Sequence, residues 1–228
     1  MAPREPRCAQ DGAAALLAGA IRYALGVCAL VAPAEMSLPT PCPQWDLSML
    51  LAHLSDSMAD LEAAIRTGRL SVDPRDAASG DPGGDPAGDL GGDPAGDPGG
   101  DPVEVLRDRA AELLCSAYGF GGPERLVVVG GLPMPAGLVA CTGAVEIAVH
   151  GWDVSAARAR ASSGSASPGR GTSQIPIPAA LATRMLRLSP LLVAGREGLF
   201  AVPVEVPAHA SPGDRLISYL GRHPGAAA

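Results

Sequence analysis

Asp46-Leu47-Ser48-Met49-Leu50-Leu51-Ala52-His53-Leu54-Ser55-Asp56-Ser57-Met58-Ala59-Asp60-Leu61-Glu62-Ala63-Ala64-Ile65-Arg66-Thr67 places apolar side chains at 47, 50, 51, 54, 58, 61 and 65. Steps of three and four residues put all seven on one face of an α-helix. Asp46, just before the first of them, is a good N-cap, so a helix is predicted over 47–67. His53 lies on this helix.

The same reading extends to both sides. Leu38-Pro39-Thr40-Pro41-Cys42-Pro43-Gln44-Trp45 holds too many prolines for a helix or a central strand. Upstream, Leu16, Leu17, Ala20, Ile21, Ala24, Leu25, Cys28 and Val31 again recur at helical spacing, which predicts a first helix over 11–32. Arg4 and Arg7 ahead of an apolar run, with Ala32-Pro33-Ala34 beyond, have the outline of a signal peptide. Arg22 breaks that run and Glu5 and Asp11 dilute its positive start, so a surface helix is the better reading. No run approaches the roughly 20 apolar residues of a membrane span.

Downstream the chain changes character. Asp81, Asp85, Asp89, Asp93, Asp97 and Asp101 recur every four residues among Pro, Gly and Ala, marking 73–101 as a low-complexity insertion expected to be disordered. Those six carboxylates match all but one of the seven net negative charges, so the acidity belongs to a linker and not to a binding face. Helix three is predicted over 102–118, entered by Asp101-Pro102. An extended segment follows at 126–129, helix four from Pro135 to about Ala159, a loose Ser/Gly stretch at 162–172, and helix five at 178–193. Residues 200–206 suit a short strand, and Ser211-Pro212-Gly213-Asp214 opens a last helix ending at Gly221. The expectation is a mainly all-α protein: one helical-bundle domain over 11–224 with a short C-terminal strand and helix.

Composition narrows the function. Hydrophobic residues make up 47% of the 228, enough for a sizeable core, but aromatics are only 3%, so Ala, Leu and Val must fill it. All 17 basic residues are Arg and the net charge is −7, which argues against a nucleic-acid binder tracking phosphates with a basic face. The five cysteines are odd in number, widely spaced and free of CxxC pairs. They fit neither a disulfide framework nor a cysteine zinc finger, and reduced thiols in a cytoplasm are the expectation. Cys28, Cys115 and Cys141 read as small core fillers.

Chemistry is concentrated in few residues. Glu146 and His150, four apart on helix four, project together. Glu146 sits among Ala144, Val145, Ile147, Ala148 and Val149, where a carboxylate needs a partner. A cation would serve, and so would a plain surface pair with His150. With His53 from helix two, two nitrogens and one carboxylate would leave coordination positions open, as at a catalytic and not a structural metal. Asp153 either orients His150 or pairs at the surface. Cys42 reads first as a buried small residue and second as a fourth ligand or a reactive thiol. Trp45 and Trp152 read as packing residues before ligand platforms, Arg222 and His223 as exposed tail residues before groups that reach the pocket to hold an anionic substrate, and His209 as a loop residue.

Two of these segments carry a resemblance. Thr40-Pro41-Cys42-Pro43-Gln44-Trp45-Asp46 followed by Leu50-Leu51-Ala52-His53-Leu54 resembles the start of the mycothiol-dependent maleylpyruvate isomerase N-terminal-like family, and Glu146-Ile147-Ala148-Val149-His150-Gly151-Trp152-Asp153 resembles its second signature. The tail, from Pro203-Val204-Glu205-Val206-Pro207 to His223-Pro224, is similar to a small actinobacterial branch of metal-binding proteins. The resemblance implies a DinB-like four-helix bundle holding one divalent metal, usually zinc, on His53, Glu146 and His150. It also implies mycothiol as a cosubstrate and a small electrophile as the other partner. The isomerase carries a further C-terminal domain, so the resemblance extends to the metal site and not to the whole isomerase. Spacing alone accepts zinc, nickel, cobalt or iron alike. Related bundles often pair, which leaves a homodimer open. The leading function is a metal-dependent thiol transferase or isomerase, its rival a non-catalytic metal- or small-molecule-binding module. A helical interaction protein without a metal is a third reading.

Overall fold

The computed structural model describes residues 6–70, 101–119, 125–163, 173–192 and 201–224. The expected insertion lies outside these residues apart from Asp101, as does most of the 162–172 stretch. Helix α1 runs Pro6–Cys28, α2 Leu47–Thr67, α3 Pro102–Gly119 and α4 Ala136–Ser163. These four form the bundle, with α1 lying most extensively along α4, and α2 along α3 and α4. Helices α5 (Ala179–Leu192) and α6 (Pro212–Tyr219) pack on each other, and α5 also on α4. No helix of the described residues is long and apolar enough to cross a membrane.

Helix α2 forms as its pattern requires. The Asp46 carboxylate accepts from Met49 N–H at 2.9 Å, Gly68 closes the helix in the left-handed region, and the whole apolar stripe is buried. Asp101 likewise accepts from Val103 N–H at 3.0 Å to start α3. Helix α1 stops four residues short of expectation. Pro33 cannot continue it and pushes Ala32 into an extended conformation, after which Pro33–Glu35 form one 3₁₀ turn. Its apolar stripe is buried at Leu16, Leu17, Ala20, Ile21, Ala24 and Cys28 and half-buried at Leu25, with Arg22 on the exposed side, while Val31 lies beyond the helix and is half-buried.

Between the bundle helices sits a small sheet that the sequence only half announces. Strand β1 (Arg69–Leu70) pairs in parallel with β2 (Leu126–Val129), which pairs antiparallel with β3 (Leu132–Pro135). Gly130 and Gly131, at φ 54° and 85°, make the two-residue turn between β2 and β3. Only the 126–129 segment was expected. The expected C-terminal strand at 200–206 does not form among its described residues: 201–206 is irregular and tied by a bond from Val204 N–H to the Ser218 carbonyl at 2.9 Å. The last helix appears where predicted, capped by Ser211.

Cys115 corrects an expectation. It falls off the Val103–Leu106–Ala110–Leu113 stripe of α3 and is exposed, whereas Cys28 is buried and Cys141 half-buried. Gly221 marks a point of fixed geometry: at φ +81°, an added Cβ would also lie 2.7 Å from the Ala201 carbonyl oxygen. A left-handed non-glycine residue costs roughly 1–2 kcal/mol before any clash. Gly221→Ala is therefore expected to lower Tm by at least about 4 °C for a chain of this size, read by circular dichroism melting.

Candidate metal centre

His53 is delivered by α2, and Glu146 and His150 by α4, all three half-buried. Their ligand atoms lie within 4.8 Å of one another. His53 Nε2 is 3.6 Å from Glu146 Oε1, and the two imidazole rings meet edge to face with centroids 5.0 Å apart. The structure thus brings together all three residues singled out by spacing.

Their neighbours fix them. The Ser57 hydroxyl donates to Glu146 Oε1 at 2.6 Å and lies 3.5 Å from His53 Nε2. Burial alone would raise the Glu146 carboxyl, but the hydrogen bond with His53, the charge of His150 and the Ser57 hydroxyl outweigh it and hold the group at about 2. Glu146 is therefore a permanent carboxylate. Ser57 was missed by sequence reading; its only signal is a polar residue four after His53 on the same helix face. Ser57→Ala is expected to weaken metal binding roughly 10-fold, as loss of an outer-shell partner does, measured by chelator competition.

On the other side, Asp153 is fully buried and accepts from His150 Nδ1–H at 3.1 Å. With that nitrogen protonated, Nε2 keeps its lone pair for a ligand. Arg222 grips the same carboxylate with a fork, Nε to Oδ1 at 2.8 Å and Nη2 to Oδ2 at 2.8 Å. Arg222 is thus no exposed tail residue; α6 brings it back to the bundle. His223 and His209 are exposed, as expected.

Cys42, His150 and Asp153 form a second group within 4.8 Å, but its members are already engaged with one another and with Arg222. The Cys42 thiol donates to Asp153 Oδ2 at 3.6 Å, and the Arg222 guanidinium already neutralises that carboxylate. Burial, then the Asp153 charge, push the thiol up to about 12, so without a cation it is a neutral donor.

Trp45 packs in the core yet also borders the site, its ring 4.7 Å from that of His53 and 6.4 Å from that of His150. Gln44, at φ +66°, sets the turn that delivers it. Its indole Nε1 is buried and has no hydrogen-bond partner among the described residues. Trp152 is buried packing, as expected.

An open cavity of about 260 Å³ adjoins Glu146 and Ser57, between α2, α4 and the small sheet. A search of curated proteins and a search of solved structures return no significant match. The family model for the mycothiol maleylpyruvate isomerase N-terminal domain matches residues 17–155, well over half of the chain and including His53, Glu146, His150 and Asp153. The chain belongs to the mycothiol maleylpyruvate isomerase N-terminal domain family.

Proposed function

We propose that His53, Glu146 and His150 hold a divalent cation, zinc first, and that the protein is a thiol-dependent transferase or isomerase acting on a small electrophile. The observation that carries this is the convergence of two imidazoles and a permanent carboxylate from two helices within 4.8 Å. The donor set suits the group: nitrogen and carboxylate ligands are those of zinc, and three protein ligands leave a position free. A bound cation of this kind supplies Lewis acidity and holds a thiol as thiolate.

The chain's own residues do the rest. Asp153 keeps the proton on His150 Nδ1, which leaves Nε2 as the nitrogen that would ligate a cation. Ser57 steadies Glu146 Oε1 without competing for charge. Arg222 keeps Asp153 ionised while its guanidinium stays off the ligand side. A mycothiol-type thiol in a cytoplasm is the partner that family membership favours. The alternative is a metal- or small-molecule-binding module without turnover. The adjoining cavity favours the catalytic reading, because it leaves room for a second molecule beside the cation.

The test is zinc-loaded protein given mycothiol and a panel of small electrophiles, with thiol consumption followed beside His53→Ala. Consumption that depends on His53 is the expected result. Equal rates in both proteins would refute catalysis at this site.

A further inference from the structure

Resting on that reading of the metal centre, the turn beyond α6 supplies a part of the centre that the family match does not cover. The match ends at residue 155, whereas Arg222 comes from far beyond it and reaches Asp153, three residues past His150. The backbone fixes how it gets there. Helix α6 ends at Tyr219 and Gly221 takes φ +81°. The Gly221 N–H bonds to the Ser218 carbonyl and the Arg222 N–H to the Ile217 carbonyl, each at 3.0 Å. That pair of bonds across a left-handed glycine is the Schellman ending of a helix. Leu216, Ile217 and Leu220 are buried in the core and anchor the turn, and Ala201 closes against Gly221 from the other side.

The guanidinium meets a crowded carboxylate. Arg222 Nε donates to Asp153 Oδ1 at 2.8 Å and Nη2 donates to Oδ2 at 2.8 Å. Oδ2 is also the oxygen that accepts from His150 Nδ1–H at 3.1 Å and from the Cys42 thiol at 3.6 Å. A planar fork fixes the plane of the carboxylate it grips. Because His150 uses one of the same two oxygens, the fork also sets the direction of the acceptor that holds the imidazole. The ring plane and tautomer of a ligating histidine are set by that bond.

We propose that Arg222 is a positioning residue of the metal centre: through Asp153 Oδ2 it orients His150 with Nε2 free for the cation, so that zinc binding and the docking of the C-terminal turn are coupled. Such coupling is reciprocal. An Arg222 with a structural role alone would hold the fold and leave the imidazole indifferent to it. The two roles part at Arg222→Lys. An ammonium restores the charge, and with it part of the stability, but a point charge sets no plane.

The experiment uses the full chain with histidine and arginine labelled by ¹⁵N. There are four histidines, and His150→Ala assigns the one in question. At about pH 8.5, above the ordinary histidine value of about 6.5, ring nitrogen shifts report the tautomer. Zinc-free native protein should show His150 with its proton on Nδ1, and Arg222→Lys and Arg222→Met should show a mixture of the two tautomers. By chelator competition both variants should bind zinc about 10-fold more weakly, the low end for an outer-shell partner, although Arg222→Lys keeps a Tm nearer the native one. In native protein, where no variant has to fold, zinc should move the Arg222 Nε–H resonance. Arg158 Nε–H, paired with Glu35 at 3.0 Å, should stay where it was. An unchanged tautomer in a folded variant, an Arg222→Lys that binds zinc as the native chain does, or an Arg222 resonance that ignores bound zinc would each overturn the proposal. A native chain that takes up no zinc defeats the reading of the metal centre, whereas the tautomer comparison, run without metal, decides the positioning role by itself.

Discussion

Arg222→Ala is expected to cost about 3–5 kcal/mol of folding stability, the usual consequence of stripping one partner from a buried ion pair. At about 2–4 °C per kcal/mol for a chain of this size, Tm should fall by roughly 6–20 °C. Asp153 has no exposed surface, and both its oxygens accept from the guanidinium. Without Arg222, His150 Nδ1–H and the weak Cys42 thiol donor still reach it. Arg222→Lys should recover part of the loss, because an ammonium restores the charge but not the two-point fork. Arg222→Met combined with Asp153→Asn should cost less than the sum of the single changes. Arg109→Ala, removing an exposed pair with Glu112, is the control and should stay within about 0.5 kcal/mol.

The same pair predicts a dependence on pH. Burial would raise the Asp153 carboxyl, but the Arg222 charge and the hydrogen bonds from His150 and Arg222 outweigh it and hold the group below its ordinary value. A carboxyl depressed by folding adds stability that is complete above the unfolded-chain value of about 3.9 and fades as pH falls through the lower folded value. The gap between native protein and Arg222→Ala should therefore be widest near neutrality and close in acid.

That Arg222 needed coordinates to be recognised shows what a sequence does and does not encode locally. Helix α2, its cap and its buried stripe follow from a period and one side chain, all within about twenty residues. Glu146 and His150 are four apart on one helix, and His53 sits on a neighbouring apolar face, so their convergence was open to inference. Arg222 and Asp153 are 69 residues apart, and no local rule links them. Strand β3 was not expected, since Pro135 reads as the start of helix four and two prolines in four residues carry no strand signal. At the edge of a three-stranded sheet, opposite Val128 and Leu126, they are tolerated. Trp45 read as packing because it is packing. Its bearing on the two histidines arises only once the loop turns at Gln44.

Glu146→Gln is expected to reduce zinc affinity by more than the roughly 100-fold that loss of an outer-shell partner can cost. The amide keeps nearly the same shape and can still accept from Ser57, so the helices should pack unchanged. What disappears is the charge, and with it the anionic ligand of the set. A cation that binds only folded protein stabilises it by about 2.7 kcal/mol at 100 times its dissociation constant. Zinc should therefore raise Tm of the native chain and leave that of Glu146→Gln where it was. His53→Ala and His150→Ala should behave alike, whereas Cys42→Ser should bind zinc as the native chain does. That contrast distinguishes the two clusters, because a cation held by Cys42, His150 and Asp153 would be lost with Cys42→Ser and spared by Glu146→Gln. Acid should weaken binding in the native chain, since the ligating nitrogen of each imidazole must be unprotonated. If Glu146→Gln retained the zinc-dependent rise in Tm, the carboxylate would be no ligand, and the permanent charge at this helix crossing would need another explanation.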